Sequence, residues 1–432
     1  MNTQKRNKLF RAGLFVLFLA AMAYFFYGVF GKTDFNSLTP QAFLYNLSQF
    51  TALTGFFFLS LLIISGDFAR LFDNVFGLDK IIKTQRKFSM FTYFIVFSHP
   101  LIIIFTNNPS LKSFLPNFSL LPFAAGTIAL YLFAGIMISS LLYKRISYKT
   151  WQWLHFLTYA LFFLAAYHFL NVGSHAEDSV IKFISYLLII LVAIGMIYRT
   201  SYKIRQRKNK FVVKEITSET HDTFTLVVEP NRRIDFRPGQ FFFLRIEGKN
   251  LNARHPFSVS NSPSEKYLRF TIKDTGRFTK EAKNLKQGDE LKIEGPFGKF
   301  ILSNADKELV FIAGGVGITP FMSMIADNLQ KESKRKITLL YGSKTEKDII
   351  FKKELDAIKG DWFKKIYVLS EEKKKNYDYG RIEEDFITRY VKDFKNKKFY
   401  ICGPKPMMEN VKKVLLDKGV KKEDIVIEDF FW

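Results

Sequence analysis

Residues 151–170 read WQWLHFLTYALFFLAAYHFL: twenty positions without a Lys, Arg, Asp or Glu, carrying two histidines, His155 and His168. Wound as a helix at about 1.5 Å per residue, such a run covers roughly 30 Å, the thickness of a bilayer's hydrocarbon core. A buried helix of a large soluble domain would account for one run of this kind. Six succeed one another here, at about 12–30, 45–65, 88–106, 120–142, 152–171 and 180–198, and six in a row argue for an all-α transmembrane bundle.

The remaining composition bounds the chain further. Its 432 residues, 48% hydrophobic and 17% aromatic, exclude disorder and suggest two or three domains. One cysteine excludes a disulfide scaffold, a cysteine-ligated structural zinc and a cysteine-ligated iron–sulfur cluster. The net charge of +24 raises nucleic acid as a partner, so its placement matters. Residues 1–209 hold 20 Lys/Arg against 6 Asp/Glu, and residues 210–432 hold 44 against 34. The mean hydropathy of +0.01 is therefore the average of two unlike halves.

Loop charges give the topology. Lys5, Arg6, Lys8 and Arg11 precede the first apolar run, which is longer than a signal peptide's roughly 7–15 residues and lacks a small-residue cleavage site, so it reads as a retained helix. The N-terminus, the 66–87 loop, the 143–151 loop and the segment after the sixth span together hold 17 basic residues, whereas the alternate loops and their edges hold only Lys32, Lys112 and Lys182. The positive-inside rule then places both termini in the cytoplasm. Most first-half charge is a topology and headgroup signal, and nucleic acid is not needed to explain it.

Ionisable residues at membrane depth are costly and functional by default, and three of the six histidines lie there: His99, His155 and His168. Neutral imidazole is an axial ligand of haem iron. His155 and His168 are 13 residues apart, roughly 20 Å along a helix, which suits two cofactor layers, although an ideal helix turns about 220° over that distance. The third and fifth spans run in the same direction, so His99 should meet His168 in the outer layer. The inner layer would pair His155 with the residue 14 before His99, which is Gln85.

Residues 84–100, TQRKFSMFTYFIVFSHP, together with 151–170 resemble the ferric reductase and NADPH oxidase family, whose six-helix domain holds two haems between helices three and five. The resemblance implies that His99 and His168 ligate an outer b-type haem and that His155 matches one ligand of an inner haem. Gln85 departs from the pattern, since it stands where the family has the fourth histidine.

The second half continues the resemblance. After a basic exit at 199–210, RTSYKIRQRKNK, short alternating segments such as FVVKEI, FTLVVEP and FFFLRI with Gly/Pro turns read as a small antiparallel β-barrel. It contains FRPGQFFFLRI, then Arg254-His255-Pro256-Phe257-Ser258, then Lys273-Asp274-Thr275-Gly276-Arg277-Phe278-Thr279. In this order these motifs resemble the FAD-binding barrel of the ferredoxin–NADP reductase superfamily. The resemblance implies Phe257 against the flavin and the Ser258 hydroxyl near the ring nitrogen that accepts hydride. It also implies His255 at the pyrophosphate where many relatives have Arg, with Arg254 beside it, and Lys273 and Gly276 through Thr279 completing the FAD contacts. His221, in ETHDT, reads as a surface turn residue.

From about Asp306 strands alternate with helices: ELVFIAG, ITLLYGS, KKIYVLS and KFYICG, with helices such as 320–332 and 405–418 between, an open parallel α/β sheet. Gly314-Gly315-Val316-Gly317-Ile318-Thr319-Pro320 forms a glycine turn opening a helix, where backbone can approach a pyrophosphate. Cys402-Gly403-Pro404 follows the last predicted strand. The pair resembles the pyridine-nucleotide half of the same superfamily and implies Cys402 beside the nicotinamide, with Phe430, or else Trp432, covering the flavin. Lys344 follows a strand end where a cation could hold the ribose phosphate of NADPH. Glu346 and Asp348 nearby leave NADH equally open.

The expected layout is thus a multi-domain chain: a six-helix domain over 1–198, a basic linker over 199–210, an FAD barrel over 211–305 and an NAD(P)H domain over 306–432. The resemblance implies a multi-pass cell-membrane oxidoreductase passing electrons from cytosolic NAD(P)H through FAD and b-type haem to an outer small-molecule acceptor, either oxygen, giving superoxide, or a ferric chelate. It would have membrane lipid around it and no obligate protein partner. Two alternatives stand beside it: a membrane-anchored flavin reductase without transmembrane transfer, and a haem electron-transfer partner of a separate outer reductase. His175, Glu177 and Asp178 form the one metal-friendly cluster of the outer loops and read as a solvated loop.

Overall fold

A computed structural model describes residues 3–429 apart from 32, 35, 37, 107–114, 144, 247–250, 252, 304–306 and 333. Lys32, Lys112, Phe430 and Trp432 of the sequence reading therefore lie outside the described residues. The chain divides into two units, Met1–Ile204 and Arg205–Trp432.

The membrane unit holds α1 (Thr3–Phe30), α2 (Pro40–Asp67), the short α3 (Ala69–Phe76), α4 (Leu78–Thr106), α5 (Leu121–Leu141), α6 (Tyr148–Val172) and α7 (Ser179–Arg207). All but α3 are long and apolar enough to cross a bilayer, so this is a multi-pass membrane protein. Thr39 caps α2 by accepting from Ala42 N at 3.2 Å, and Ser147 caps α6 by accepting from Thr150 N at 3.0 Å. Two expected boundaries move. The loop expected over 66–87 is mostly helix, because α3 fills it and α4 starts at Leu78, and the linker expected over 199–210 is helical as far as Arg207. Hydropathy marks only the lipid-facing length of a helix, and basic side chains let the same helix continue into the headgroup layer.

α2 packs along α4 and α5 along α6, so the two histidine-bearing helices lean on different partners. Gly55 permits the first contact, since a Cβ there would stand 3.1 Å from Val96 Cγ2. Phe56 stacks on Phe162 and Phe169 of α6, and Phe133 of α5 meets Tyr93 and Phe97 of α4. Asp67, buried at the end of α2, accepts from Tyr159 of α6 at 2.6 Å and pairs with Arg199 of α7 at 3.2 Å. Gly195 makes room for it: a Cβ there would lie 3.0 Å from the carboxylate.

The reductase unit begins with β1 (Phe211–Ser218), β2 (Thr223–Pro230), β3 (Phe241–Arg245), β4 (His255–Ser258), β5 (Leu268–Lys273), α8 (Arg277–Lys283) and β6 (Glu290–Phe297). Their antiparallel sheet has the order β4-β3-β6-β1-β2-β5. Pro256 is tolerated because β4 is a terminal strand. The expected barrel does not close by a ladder among the described residues. Its two ends are joined by one bridge, Val259 to Phe270, because the chain leaves β4 at Ser258 and no further pairing follows.

The second sheet is built from β7 (Glu308–Gly314), α9 (Thr319–Leu329), β8 (Ile337–Ser343), α10 (Lys352–Ala357), β9 (Phe363–Leu369), β10 (Asp378–Tyr379), α11 (Glu384–Tyr390), β11 (Lys397–Cys402), α12 (Lys405–Asp417) and β12 (Ile425–Glu428). Every pair is parallel, in the order β10-β9-β8-β7-β11-β12. β12 is absent from the strands read from sequence, since its apolar run is only Ile425-Val426-Ile427, set between acidic neighbours. The two sheets are tied by Ser323 Oγ donating to the Asn261 carbonyl at 2.7 Å and by Arg269 paired to Glu354 at 2.7 Å. His221, as expected, is exposed in a turn, where it meets Asp348 at 3.1 Å.

Candidate functional site

The strand order reverses at β7, which has β8 on one side and β11 on the other, and ligands of open parallel sheets bind outside the strand ends at such a point. The two motifs read from sequence meet there. A Cβ on Gly317 would lie 2.3 Å from the Cys402 carbonyl oxygen, and one on Gly403 would lie 3.0 Å from Gly314 N, so only glycine lets the turn and the strand end touch. Gly315 adopts φ +53°, Thr319 Oγ1 donates to the Val316 carbonyl at 2.8 Å, and Pro320 opens α9. Pro404 precedes α12. Cys402 is enclosed, and burial followed by the charges of Glu428 and Asp429 raises its pKa well above the ordinary thiol value, so it stands as neutral thiol.

One residue of this crevice escaped the sequence reading. Ser343 ends β8 with a buried hydroxyl that makes no hydrogen bond. A strand-end serine before Lys344 was the available signal. Lys344 itself pairs with Glu371 at 3.0 Å, which raises its pKa. Glu346 is held at about 2 by Lys374 and Tyr377, and Asp348 closes its own turn by accepting from Thr345.

In the antiparallel domain, Ser258 is 5% exposed and its Oγ is buried without a hydrogen bond, an unmet polar group at the end of β4. Phe278 lies between two rings, with His255 stacked at 4.0 Å and Phe257 at 5.8 Å. Burial lowers the His255 pKa, so it is neutral near pH 7 and brings no fixed charge. Arg254 does not stand free beside it: its guanidinium binds Glu294 at 2.6 Å and lies over Phe243. Lys273 pairs with Asp222 at 3.0 Å. Gly276 caps α8, and the Thr279 hydroxyl turns inward to accept from Thr275 N and Gly276 N at 3.0 and 2.9 Å. An unmet hydroxyl beside a half-buried aromatic suits an isoalloxazine edge, so the residues present fit FAD.

In the membrane unit His99 stands on α4 and His168 on α6, each with its Nδ1 engaged. His168 Nδ1 meets the Pro122 carbonyl at 2.9 Å, and His99 Nδ1 meets Ser48 Oγ at 3.0 Å and the Ser48 carbonyl at 3.1 Å. A carbonyl acceptor fixes the proton on Nδ1 and leaves the Nε2 lone pair for a metal. Gly126 cradles the His168 ring, because a Cβ there would fall 2.6 Å from Nδ1. These two imidazoles fit a haem iron, which their Nε2 atoms would hold. The other layer does not: Gln85 Nε2 donates to Ser65 Oγ at 2.8 Å, and His155 lies tilted against Trp151 at 4.0 Å with a buried Nδ1 that makes no hydrogen bond. Among the described residues no group of three His, Cys, Asp or Glu could hold a bare metal ion, and His175 is engaged with Gln49 at 2.7 Å.

One chain thus joins a multi-pass membrane unit to a flavin-type strand end and a nucleotide crevice, the parts of an NAD(P)H-dependent oxidoreductase. Three protein-family models match in order: ferric reductase like transmembrane component over residues 51–166, oxidoreductase FAD-binding domain over 209–301 and oxidoreductase NAD-binding domain over 311–413. A ferric reductase like transmembrane component is followed in one chain by FAD-binding and NAD-binding oxidoreductase domains. It is 31% identical over 245 residues to a flavohemoprotein of Bacillus thuringiensis, covering 52% of this chain and 60% of that one. It is 33% identical over 195 residues to one polypeptide of the Na(+)-translocating NADH-quinone reductase of Marinomonas, covering 40% and 48%. The chain thus spans 60% or less of the length of these curated relatives. Among solved structures, the FAD/NAD binding domain of a nitric oxide dioxygenase from Vibrio cholerae matches at 24% identity and TM-score 0.46, covering 51% of this chain and 98% of that one.

Proposed function

We propose that this chain is a transmembrane NAD(P)H oxidoreductase, in which FAD accepts hydride and one b-type haem carries single electrons to an acceptor at the outer surface, oxygen or a ferric chelate. The reading rests chiefly on the His99–His168 pair, whose Nδ1 atoms are both engaged and whose Nε2 atoms are left for iron. The basic loops support cytoplasmic termini and a cytoplasmic reductase unit.

Each residue has a task that its geometry supports. The glycine turn at 314–317 and Cys402-Gly403-Pro404 bind the dinucleotide through backbone, and the neutral thiol packs beside the ring without adding charge. Ser343 offers its unmet hydroxyl to the same ligand. Ser258 supplies a hydrogen-bond partner at the flavin edge, Phe257 packs on it, and neutral His255 lines the pyrophosphate side. Phe430 and Trp432 are both candidates for the flavin cover. The chain works in membrane lipid, with no nucleic acid and no obligate protein partner.

The test is the spectrum of the full-length protein in detergent. A reduced-minus-oxidised b-type signature with one haem per FAD supports the proposal, and its absence overturns it. One observation favours a second reading, a membrane-anchored flavin reductase: the layer of His155 lacks a second histidine, and Gln85 is engaged with Ser65. Haem that stays oxidised while NAD(P)H reduces the flavin in milliseconds would favour that reading.

A further inference from the structure

We propose that Ser48 is the residue that positions His99 and sets the redox potential of the iron it binds. The inference rests on the haem reading above. Ser48 is wholly buried on α2, 51 positions from the histidine it touches. Both its hydroxyl, at 3.0 Å, and its carbonyl, at 3.1 Å, face His99 Nδ1. The carbonyl is crowded, because it already accepts the Thr51 hydroxyl at 2.9 Å and occupies a helical position whose acceptor serves the amide four residues on. The hydroxyl is therefore the acceptor with capacity to spare. Its own proton points back to the His99 carbonyl at 3.4 Å, closing a two-way contact between α2 and α4.

His168 is held otherwise, by one carbonyl and a glycine cradle, with no hydroxyl on its Nδ1. The two histidines that would hold the iron thus differ in their outer partners. An acceptor on Nδ1–H pushes electron density into the imidazole, strengthens its donation to iron and favours the ferric state. Removing the hydroxyl leaves Nδ1–H with the crowded Ser48 carbonyl alone, a weaker acceptor, so the midpoint potential must rise.

The experiment is a spectroelectrochemical titration of the haem in the full-length protein and in S48A, S48T and T51V. S48A should raise the midpoint, a tenfold change in ferric preference being about 59 mV for a one-electron couple. S48T, which keeps the hydroxyl, and T51V, which removes only the competing donor, should stay near the parent value. An unmoved S48A with haem retained overturns the proposal. Haem loss in both S48A and S48T also overturns it, since it would show that volume and not the hydroxyl matters. Absence of haem from the unsubstituted protein would instead overturn the function proposed above, so the two failures are distinguishable.

Discussion

In the reductase unit the site residues stand in runs of three to five consecutive positions at strand ends, as in Arg254 to Ser258 and Cys402 to Pro404. In the membrane unit they stand singly on long helices, and each is completed by a partner 46 or 51 positions away, Pro122 for His168 and Ser48 for His99. The first arrangement serves ligands gripped by backbone, where glycine contacts and strand geometry do the positioning. The second serves a ligand gripped by side chains, whose orientation must come from hydrogen bonds on neighbouring helices. If the units are this separate, a lesion in one should leave the other's cofactor in place.

The largest expected effect is total. His99→Ala or His168→Ala should abolish b-type absorbance while the same protein still reduces dyes with NAD(P)H, and retained haem in either variant would break the comparison. Gln85→His sharpens it from the other side. By supplying the histidine that the sequence spacing would pair with His155, it should raise haem per FAD above the parent ratio, measured by pyridine haemochrome against released flavin.

Effects in the reductase unit are smaller. Gly317→Ala forces a methyl to 2.3 Å from the Cys402 carbonyl, an overpacking of about 1–3 kcal/mol. It should lower the unfolding temperature and raise KM for NAD(P)H with the haem spectrum intact. Ser258→Ala removes the unmet hydroxyl that would meet the flavin edge, a hydrogen bond worth about tenfold in the rate of flavin reduction, with bound FAD unchanged. The smallest concerns Cys402. Burial and the Glu428 and Asp429 charges raise its pKa, so thiolate stays scarce throughout the ordinary thiol range and grows only as pH climbs past the raised value. At pH 8 the folded protein should react with iodoacetamide at less than about a tenth of the unfolded rate.

These differences also explain what could be read from the sequence. The six spans, the two sheets and the meeting of Gly314–Gly317 with Cys402–Pro404 were legible, because apolar length, strand alternation and contiguous glycines are local signals. The starts of α3 and α4 were not, since Lys80, Lys83 and Arg86 look like loop when only hydropathy is counted. Ser48 and Gly126 were invisible for a different reason: nothing near them in the chain reports which histidine they will touch. Arg254 was located but not its engagement, because Glu294 lies 40 positions away in another strand.

The Asp67 cluster bears on how this protein is made. Asp67 enters the bilayer with the second long helix, while its partners Tyr159 and Arg199 lie 92 and 132 residues further along. A lone aspartate at the middle of a spanning helix disfavours insertion by about 2.5–3.5 kcal/mol, less near the end where Asp67 sits. Until α6 and α7 have left the ribosome, α2 therefore carries an unmatched charge that holds its lower end near the interface. The bundle closes around that charge late in synthesis, and chains truncated before Arg199 should be preferred substrates for membrane quality control.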